Sequence, residues 1–108
     1  MKLDLRSRGL SLPPDMREFV DRRLRYALGR FADRVRAVQV RLEDVNGPRG
    51  GRDIQCKVEA RLHPRGSVLV AETRRDPFVA VAHAAGRVSH AVSRRLTRKR
   101  GRPAGARA

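Results

Sequence analysis

The chain has 108 residues, of which 40% are hydrophobic and 34% charged, a length and composition typical of a single globular domain with a modest core. Its 26 Lys and Arg against 11 Asp and Glu give a formal net charge of +15, which suits nucleic acid or an anionic membrane surface as the partner. No run is long enough to cross a bilayer, and one cysteine excludes both a disulfide framework and a cysteine-based metal cluster.

The first part of the chain predicts a strand, a helix and a second strand. MKLDLRSR alternates apolar and polar residues, as a half-buried strand does, and begins without the pattern of a signal segment. We therefore expect a soluble, cytoplasmic protein. From Asp15 to Phe31 the apolar residues recur at helical spacing. Val38, Val40 and Leu42 then alternate with polar residues and predict a strand.

The second part predicts two strands and a long helix. NGPRGG, from Asn46 to Gly51, is a turn signal, and residues 54–62 alternate as a strand. Residues 68–73 predict a fourth strand. Asp76 is a suitable N-cap for a helix that reaches about Arg100, and Pro77 suits the first helical position. The apolar stripe of this helix comprises Phe78, Val81, Ala82, Ala85, Val88, Val92 and Leu96.

The predicted order β-α-β-β-β-α indicates an α+β fold. A strand–helix–strand connection favours parallel pairing of the first two strands, and short links favour antiparallel pairing of the rest. The result is a four-stranded mixed sheet with two helices packed on one face. We expect one domain over residues 1–99 and a basic, disordered tail over residues 100–108.

One face of the last helix is basic, and no acidic residue follows Asp76. This face carries His83, Arg87, His90, Arg94 and Arg98. We expect it to lie beside Arg22, Arg23 and Arg25 of the first helix and to bind phosphates, with release of counterions. The alternative is a solvated charged face without a partner.

Other candidate sites have weaker support. His83 and His90 are about 10 Å apart by helix rise, with no carboxylate nearby in sequence, which argues against catalysis or metal binding. NGPRGG lacks the strand-to-helix context and the lysine of a nucleotide-binding loop, so a hairpin connection is the default, with Arg49 and Arg52 as possible further RNA contacts. Cys56 falls on the apolar side of a strand, as a core residue does.

Several segments together resemble the family of ribosome hibernation-promoting factors and ribosome-associated inhibitors, also called sigma-factor modulation proteins. These segments are KLDLRSRGL, DMREFVDRRL, VQVRLEDVNGPRGGRDIQC and DPFVAVAHAAGRV followed by RRLTR. The resemblance implies a non-enzymatic translation regulator whose helices contact small-subunit ribosomal RNA in the channel for messenger and transfer RNA. It implies no cofactor, no small-molecule substrate and no membrane partner.

The basic face and the resemblance together predict an RNA-binding set. It consists of Arg22, Arg23, Arg25, His83, Arg87, His90, Arg94, Arg95, Arg98 and Lys99. His90 departs from the family, which often has Arg there, because the charge of histidine depends on pH near neutrality. The chain resembles a short form, without the longer acidic tail or second domain of other members. Whether it pairs ribosomes or only blocks single ones stays open, as does its oligomeric state.

Two rival functions are a general DNA- or RNA-binding protein not specific to ribosomes, and an enzyme such as a small nuclease using His83 or His90. The composition alone does not separate the first rival from a ribosome-binding factor. The second has no paired carboxylates or nucleophile arrangement to support it.

Overall fold

Four strands and two helices follow one another in the predicted order β-α-β-β-β-α. The computed structural model describes residues 1–46 and 53–101, with side chains described as far as Thr97. The strands are β1 (Lys2–Arg8), β2 (Val35–Asp44), β3 (Ile54–Leu62) and β4 (Ser67–Arg74). The helices are α1 (Met16–Leu28), which continues as a 3-10 turn over Gly29–Phe31, and α2 (Pro77–Gly101). The predicted α+β class is confirmed.

The sheet has the order β1-β2-β3-β4, with β1 parallel to β2 and the other neighbours antiparallel. Leu5 lies opposite Val40 in β2, and Val40 lies opposite Val58 in β3, so the apolar positions of adjacent strands share one face. A register shift between Val35 and Ala37 marks a β-bulge at the start of β2. The predicted mixed sheet is therefore confirmed.

Both helices pack on the apolar face of the sheet, and the core lies between the two layers. Helix α1 contributes Met16, Val20, Leu24 and Leu28, all fully buried. Helix α2 buries Ala80, Val81, Ala84, Ala85, Val88 and Val92. Cys56 in β3 is also fully buried, which confirms its prediction as a core residue. The other face of the sheet is lined by residues such as Gln39, Arg41, Lys57 and Glu59.

The predicted stripe of α2 is confirmed at Val81, Ala85, Val88 and Val92, which are all buried, and the structure differs from the prediction at its margins. Ala80 and Ala84 are buried, whereas Ala82, Phe78 and Leu96 are only partly buried. Ala82 instead lies on the rim of the groove between the helices. The apolar periodicity of the sequence locates the buried face of α2 only approximately. The packing of α2 against β3 and β4 determines which residues at the margins of that face are buried.

Three predicted features fall outside the described residues. They are the turn after Asn46 with Arg49 and Arg52, the side chains of Arg98 and Lys99, and the tail beyond residue 101. Among the described residues, no helix combines the length and hydropathy needed to cross a membrane.

Candidate nucleic-acid interface

The start of α2 is fixed by its cap and by an aromatic contact. The Phe78 amide donates to Asp76 Oδ1 at 2.8 Å, which confirms Asp76 as the cap, and Pro77 is the first helical residue. The Phe78 ring meets Phe19 of α1 edge to face, with 4.9 Å between ring centroids. This contact holds the two helices side by side, so that both present side chains away from the sheet.

Three basic or titratable side chains of α2 are exposed without an intramolecular partner. His83, His90 and Arg94 line a shallow groove on the side of α2 that faces β4, together with Arg87 and Val70. Within the described parts of the chain, none of these three forms a hydrogen bond or ion pair. They are free to bind an external anion, as the sequence analysis expects of a phosphate-binding face.

Two other arginines of α2 are engaged in the fold. Arg87 Nη1 donates to Glu72 Oε2 at 2.8 Å and to the Ala71 carbonyl at 2.9 Å. Arg95 Nη1 donates to the Ser67 carbonyl at 3.0 Å. Both interactions join α2 to β4. The predicted RNA-binding set thus contains side chains that anchor α2 to β4 as well as free ones.

The three predicted arginines of α1 point in different directions. Arg25 pairs with Asp21 at 2.8 Å and also approaches the Met1 carbonyl at 3.5 Å, so it lies toward the β1 edge. Arg22 is exposed and makes a looser pair with Glu18 at 3.8 Å. Such exposed pairs contribute little to stability and break readily. Only Arg23 faces α2. The structure therefore does not gather Arg22, Arg23 and Arg25 with the α2 stripe into a single cluster.

A groove between the two helices brings Arg23, a predicted RNA-binding residue, together with residues that were not predicted from the sequence, among them Tyr26 and Arg30. Arg23, Tyr26 and Arg30 of the α1 segment line one wall, and small residues of α2 line the other: Ala82, Ala85, Gly86 and Ser89. Tyr26 is 89% exposed. Its sequence signal was available, because it is the one aromatic residue that falls off the apolar stripes.

Glu72 is the carboxylate that the fold places against the α2 basic residues. Its side chain is 13% exposed and accepts hydrogen bonds from Arg87 and from Arg74 Nη1, each at 2.8 Å. The hydrogen bond from Arg87 is the main cause that lowers the pKa of Glu72, against the opposing effect of burial, and Arg74 lowers it further. Glu72 thereby offsets one of the two positive charges of Arg74 and Arg87, whereas Arg94 has no carboxylate partner among the described residues.

The described residues offer no centre for metal-dependent chemistry. No group of three or more His, Cys, Asp or Glu in them is arranged to hold a metal ion. What the arrangement can do is bind anions over an extended surface, through guanidinium groups that form hydrogen bonds to phosphate.

A comparison with family models identifies one family, and comparisons with solved structures identify one fold. The family described as "Sigma 54 modulation protein / S30EA ribosomal protein" matches residues 3–100. The chain is similar to the N-terminal domain of Protein Y from Thermus thermophilus, with 24% identity and a TM-score of 0.71 over 87% of this chain and 98% of the other. It is also similar to a ribosomal subunit interface protein from Coxiella burnetii, with 14% identity and a TM-score of 0.74 over 90% and 99% of the two chains. No curated protein sequence matches the chain significantly.

Proposed function

Because the chain belongs to the sigma 54 modulation protein / S30EA ribosomal protein family, we propose that it is a ribosome-binding translation regulator that docks its helical layer on small-subunit ribosomal RNA. The family match confirms the resemblance noted from the sequence. The observation that carries the proposal is the set of exposed arginines on this layer, Arg23, Arg30 and Arg94, which have no carboxylate partner among the described residues.

The proposed binding is mainly electrostatic. Each arginine that meets a phosphate releases condensed counterions, so a few such contacts supply most of the affinity. Phosphate contacts position a protein without reading sequence, and structured RNA is recognised largely through its shape. The helical layer suits this mode because its basic side chains are spread along two helices rather than gathered in a single deep cavity.

We place the docking site in the channel through which messenger and transfer RNA pass, as the family resemblance implies. A protein held there blocks decoding by occupying the path of the messenger. The similarity to a ribosomal subunit interface protein from Coxiella burnetii supports a site between the subunits. No enzymatic step is part of this function.

The experiment measures co-sedimentation of the protein with purified small subunits at physiological salt. The test variant is Arg23→Glu with Arg94→Glu, which reverses two exposed charges that the described fold does not use in ion pairs. Arg87 is left intact because it anchors α2 to β4. The control is Arg41→Glu with Arg61→Glu, an equal charge change on the open face of the sheet.

We expect the test variant to stay in the supernatant and both the control and the unaltered protein to pellet with subunits. Equal pelleting of all three proteins would show that the helical layer is not the contact. Competition with duplex DNA separates the proposal from a general nucleic-acid binder. A ribosome-specific protein remains bound to small subunits at concentrations of duplex DNA that displace a nonspecific nucleic-acid binder.

A further inference from the structure

Tyr26 has an unusual position for the only tyrosine of a chain that has no tryptophan. Its side chain is 89% exposed, whereas Phe19, Phe31 and Phe78 are partly buried against the core. It lies in the groove between α1 and α2 rather than on an isolated part of the surface. The chain thus places a large flat apolar ring in solvent, where it contributes little to folding.

The wall opposite Tyr26 is built from small side chains. Gly86 has no heavy atom of another segment within 4 Å of the point where a Cβ would stand, and Ala82 and Ser89 are its groove-lining neighbours on α2. The small side chains of α2 therefore leave the space beside the Tyr26 ring open. The groove has room for a planar group that enters from solvent.

Two guanidinium groups flank the ring along α1. Arg23 Cζ lies 5.9 Å from the centroid of the Phe19 ring, and Arg30 Cζ lies 4.7 Å from that of Phe31. These contacts orient both arginines by cation–π attraction. Neither arginine has a carboxylate partner in the described residues, so their charge is available to an anion. The groove offers one aromatic face between two positive charges.

We propose that Tyr26 stacks on one unpaired base of the bound RNA, with Arg23 and Arg30 holding the phosphates on either side of that nucleotide. An aromatic ring beside basic residues is the arrangement that single-stranded nucleic acid requires, because every base has a stacking face and every nucleotide carries a phosphate. This inference rests on the proposed function and adds that the docked RNA contains a nucleotide outside a duplex.

The intrinsic fluorescence of the protein reports this contact directly. Since Tyr26 is the only tyrosine and tryptophan is absent, the tyrosine emission comes from this one ring. A short oligoadenylate should quench the emission on binding. An abasic oligonucleotide of the same length and charge should bind without comparable quenching. Binding of oligoadenylate with no change in emission would overturn the proposal.

Substitutions test the energetic contribution of the ring. Tyr26→Ala should weaken binding of the oligoadenylate by roughly 5- to 150-fold, the range expected for one base–aromatic stack. Tyr26→Phe retains the ring and should bind within about twofold of the unaltered protein. Because the side chain is so exposed, neither change should alter the thermal unfolding midpoint appreciably. Equal affinity of the Ala and Phe variants would contradict the stacking role.

Pelleting with small subunits separates this inference from the proposed function. Suppose that the unaltered protein and Tyr26→Ala pellet equally well and bind oligoadenylate with equal affinity. The stacking inference is then wrong and the ribosome proposal stands. If the unaltered protein does not pellet, the ribosome proposal is wrong whatever Tyr26 does with oligonucleotides. A third outcome is that both Tyr26 variants fail to pellet but bind oligoadenylate as tightly as the unaltered protein does. This outcome would assign the side chain to a contact with a ribosomal protein and would also overturn the stacking inference.

Discussion

Arg87 of α2 holds Glu72 of β4 through a hydrogen bond of 2.8 Å, and the same Nη1 donates to the Ala71 carbonyl at 2.9 Å. Arg87, which the sequence places in the basic face of α2, is therefore also an anchor between helix and sheet. Its side chain is 56% exposed, so one face of the guanidinium still meets solvent. Substituting it changes the fold's stability as well as the charge of the surface.

The first prediction follows from this double role. Arg87→Ala should lower the free energy of unfolding by about 1 kcal/mol, because Glu72 and the Ala71 carbonyl both lose a donor while Glu72 retains Arg74. Urea unfolding measures the effect. Arg94→Ala is the matched control on the same helix and should stay within about 0.5 kcal/mol of the unaltered protein. Equal stability of the two variants would show that the Arg87 contacts contribute nothing.

The second prediction concerns the dependence of stability on pH. The pKa of Glu72 is lowered in the folded protein, chiefly by the hydrogen bond from Arg87, so the folded state binds this proton less readily than the unfolded state. The stabilisation is present above the ordinary pKa of the carboxyl group and is lost as the pH falls through the lowered folded-state pKa. Unfolding in urea at a series of acidic pH values measures the loss.

Glu72→Gln should be less stable near neutral pH and should lose less stability on acidification. Glu59→Gln removes a carboxylate from the open face, where the described residues give it no ion pair, and serves as the control for net charge. If the free energy of unfolding of Glu72→Gln depended on pH in the same way as that of the unaltered protein, this linkage would be ruled out.

The third prediction contrasts two glycines. Gly86→Ala should raise the free energy of unfolding by about 0.5 to 1 kcal/mol, because the helical site has open space and alanine favours the helix. Gly66→Ala should lower it by about 1 kcal/mol, because Gly66 has a φ of +97° and an added Cβ would stand 2.7 Å from Arg95 Nη2. Thermal unfolding of both variants gives the signs, and changes of the same sign would contradict the structure.

The fourth prediction concerns the Cys56 thiol. Burial raises its pKa to about 12, and the charge of Glu72 adds to the shift, so the reactive thiolate is scarce at neutral pH. A disulfide reagent should label the folded protein only through its unfolded fraction, and the labelling rate should rise along the urea transition. Fast labelling in the absence of urea would place the thiol at the surface.

The fifth prediction tests whether Arg94 contacts phosphate. Arg94→Ala should reduce the slope of log affinity against log salt concentration by roughly 0.7 to 0.9, the value expected for one phosphate contact. The measurement is binding to small subunits at several salt concentrations. Arg41→Ala on the open sheet face should leave the slope unchanged. A slope unaffected by Arg94→Ala would remove this residue from the interface.

The order of strands and helices could be read from the sequence because each signal is local. Asp76 and Pro77 specify the start of α2 within a few residues, and the alternation of β2 and β3 specifies their buried face. The pair of Arg25 with Asp21, four residues apart on α1, is equally local. These features need no knowledge of tertiary packing.

Local sequence signals could not predict which arginines of α2 anchor the helix to the sheet and which have no partner within the described fold. The partners of Arg87 and Arg95 lie on β4, and the Ser67 carbonyl is 28 residues from Arg95 along the chain. A helical projection places both arginines on the polar side, but it does not tell which neighbouring strand lies within their reach. The place of Tyr26 beside α2 likewise depends on how the two helices pack.

The strand β4 ends the sheet, and its carbonyls at Ser67, Ala71 and Thr73 each accept a guanidinium hydrogen bond, from Arg95, Arg87 and Arg74 respectively. A strand at a sheet edge is ordinarily a template for pairing with another chain. Here an incoming strand would have to displace three charged donors before it could form its own ladder. The arginines along this edge therefore disfavour edge-to-edge pairing with another β-strand.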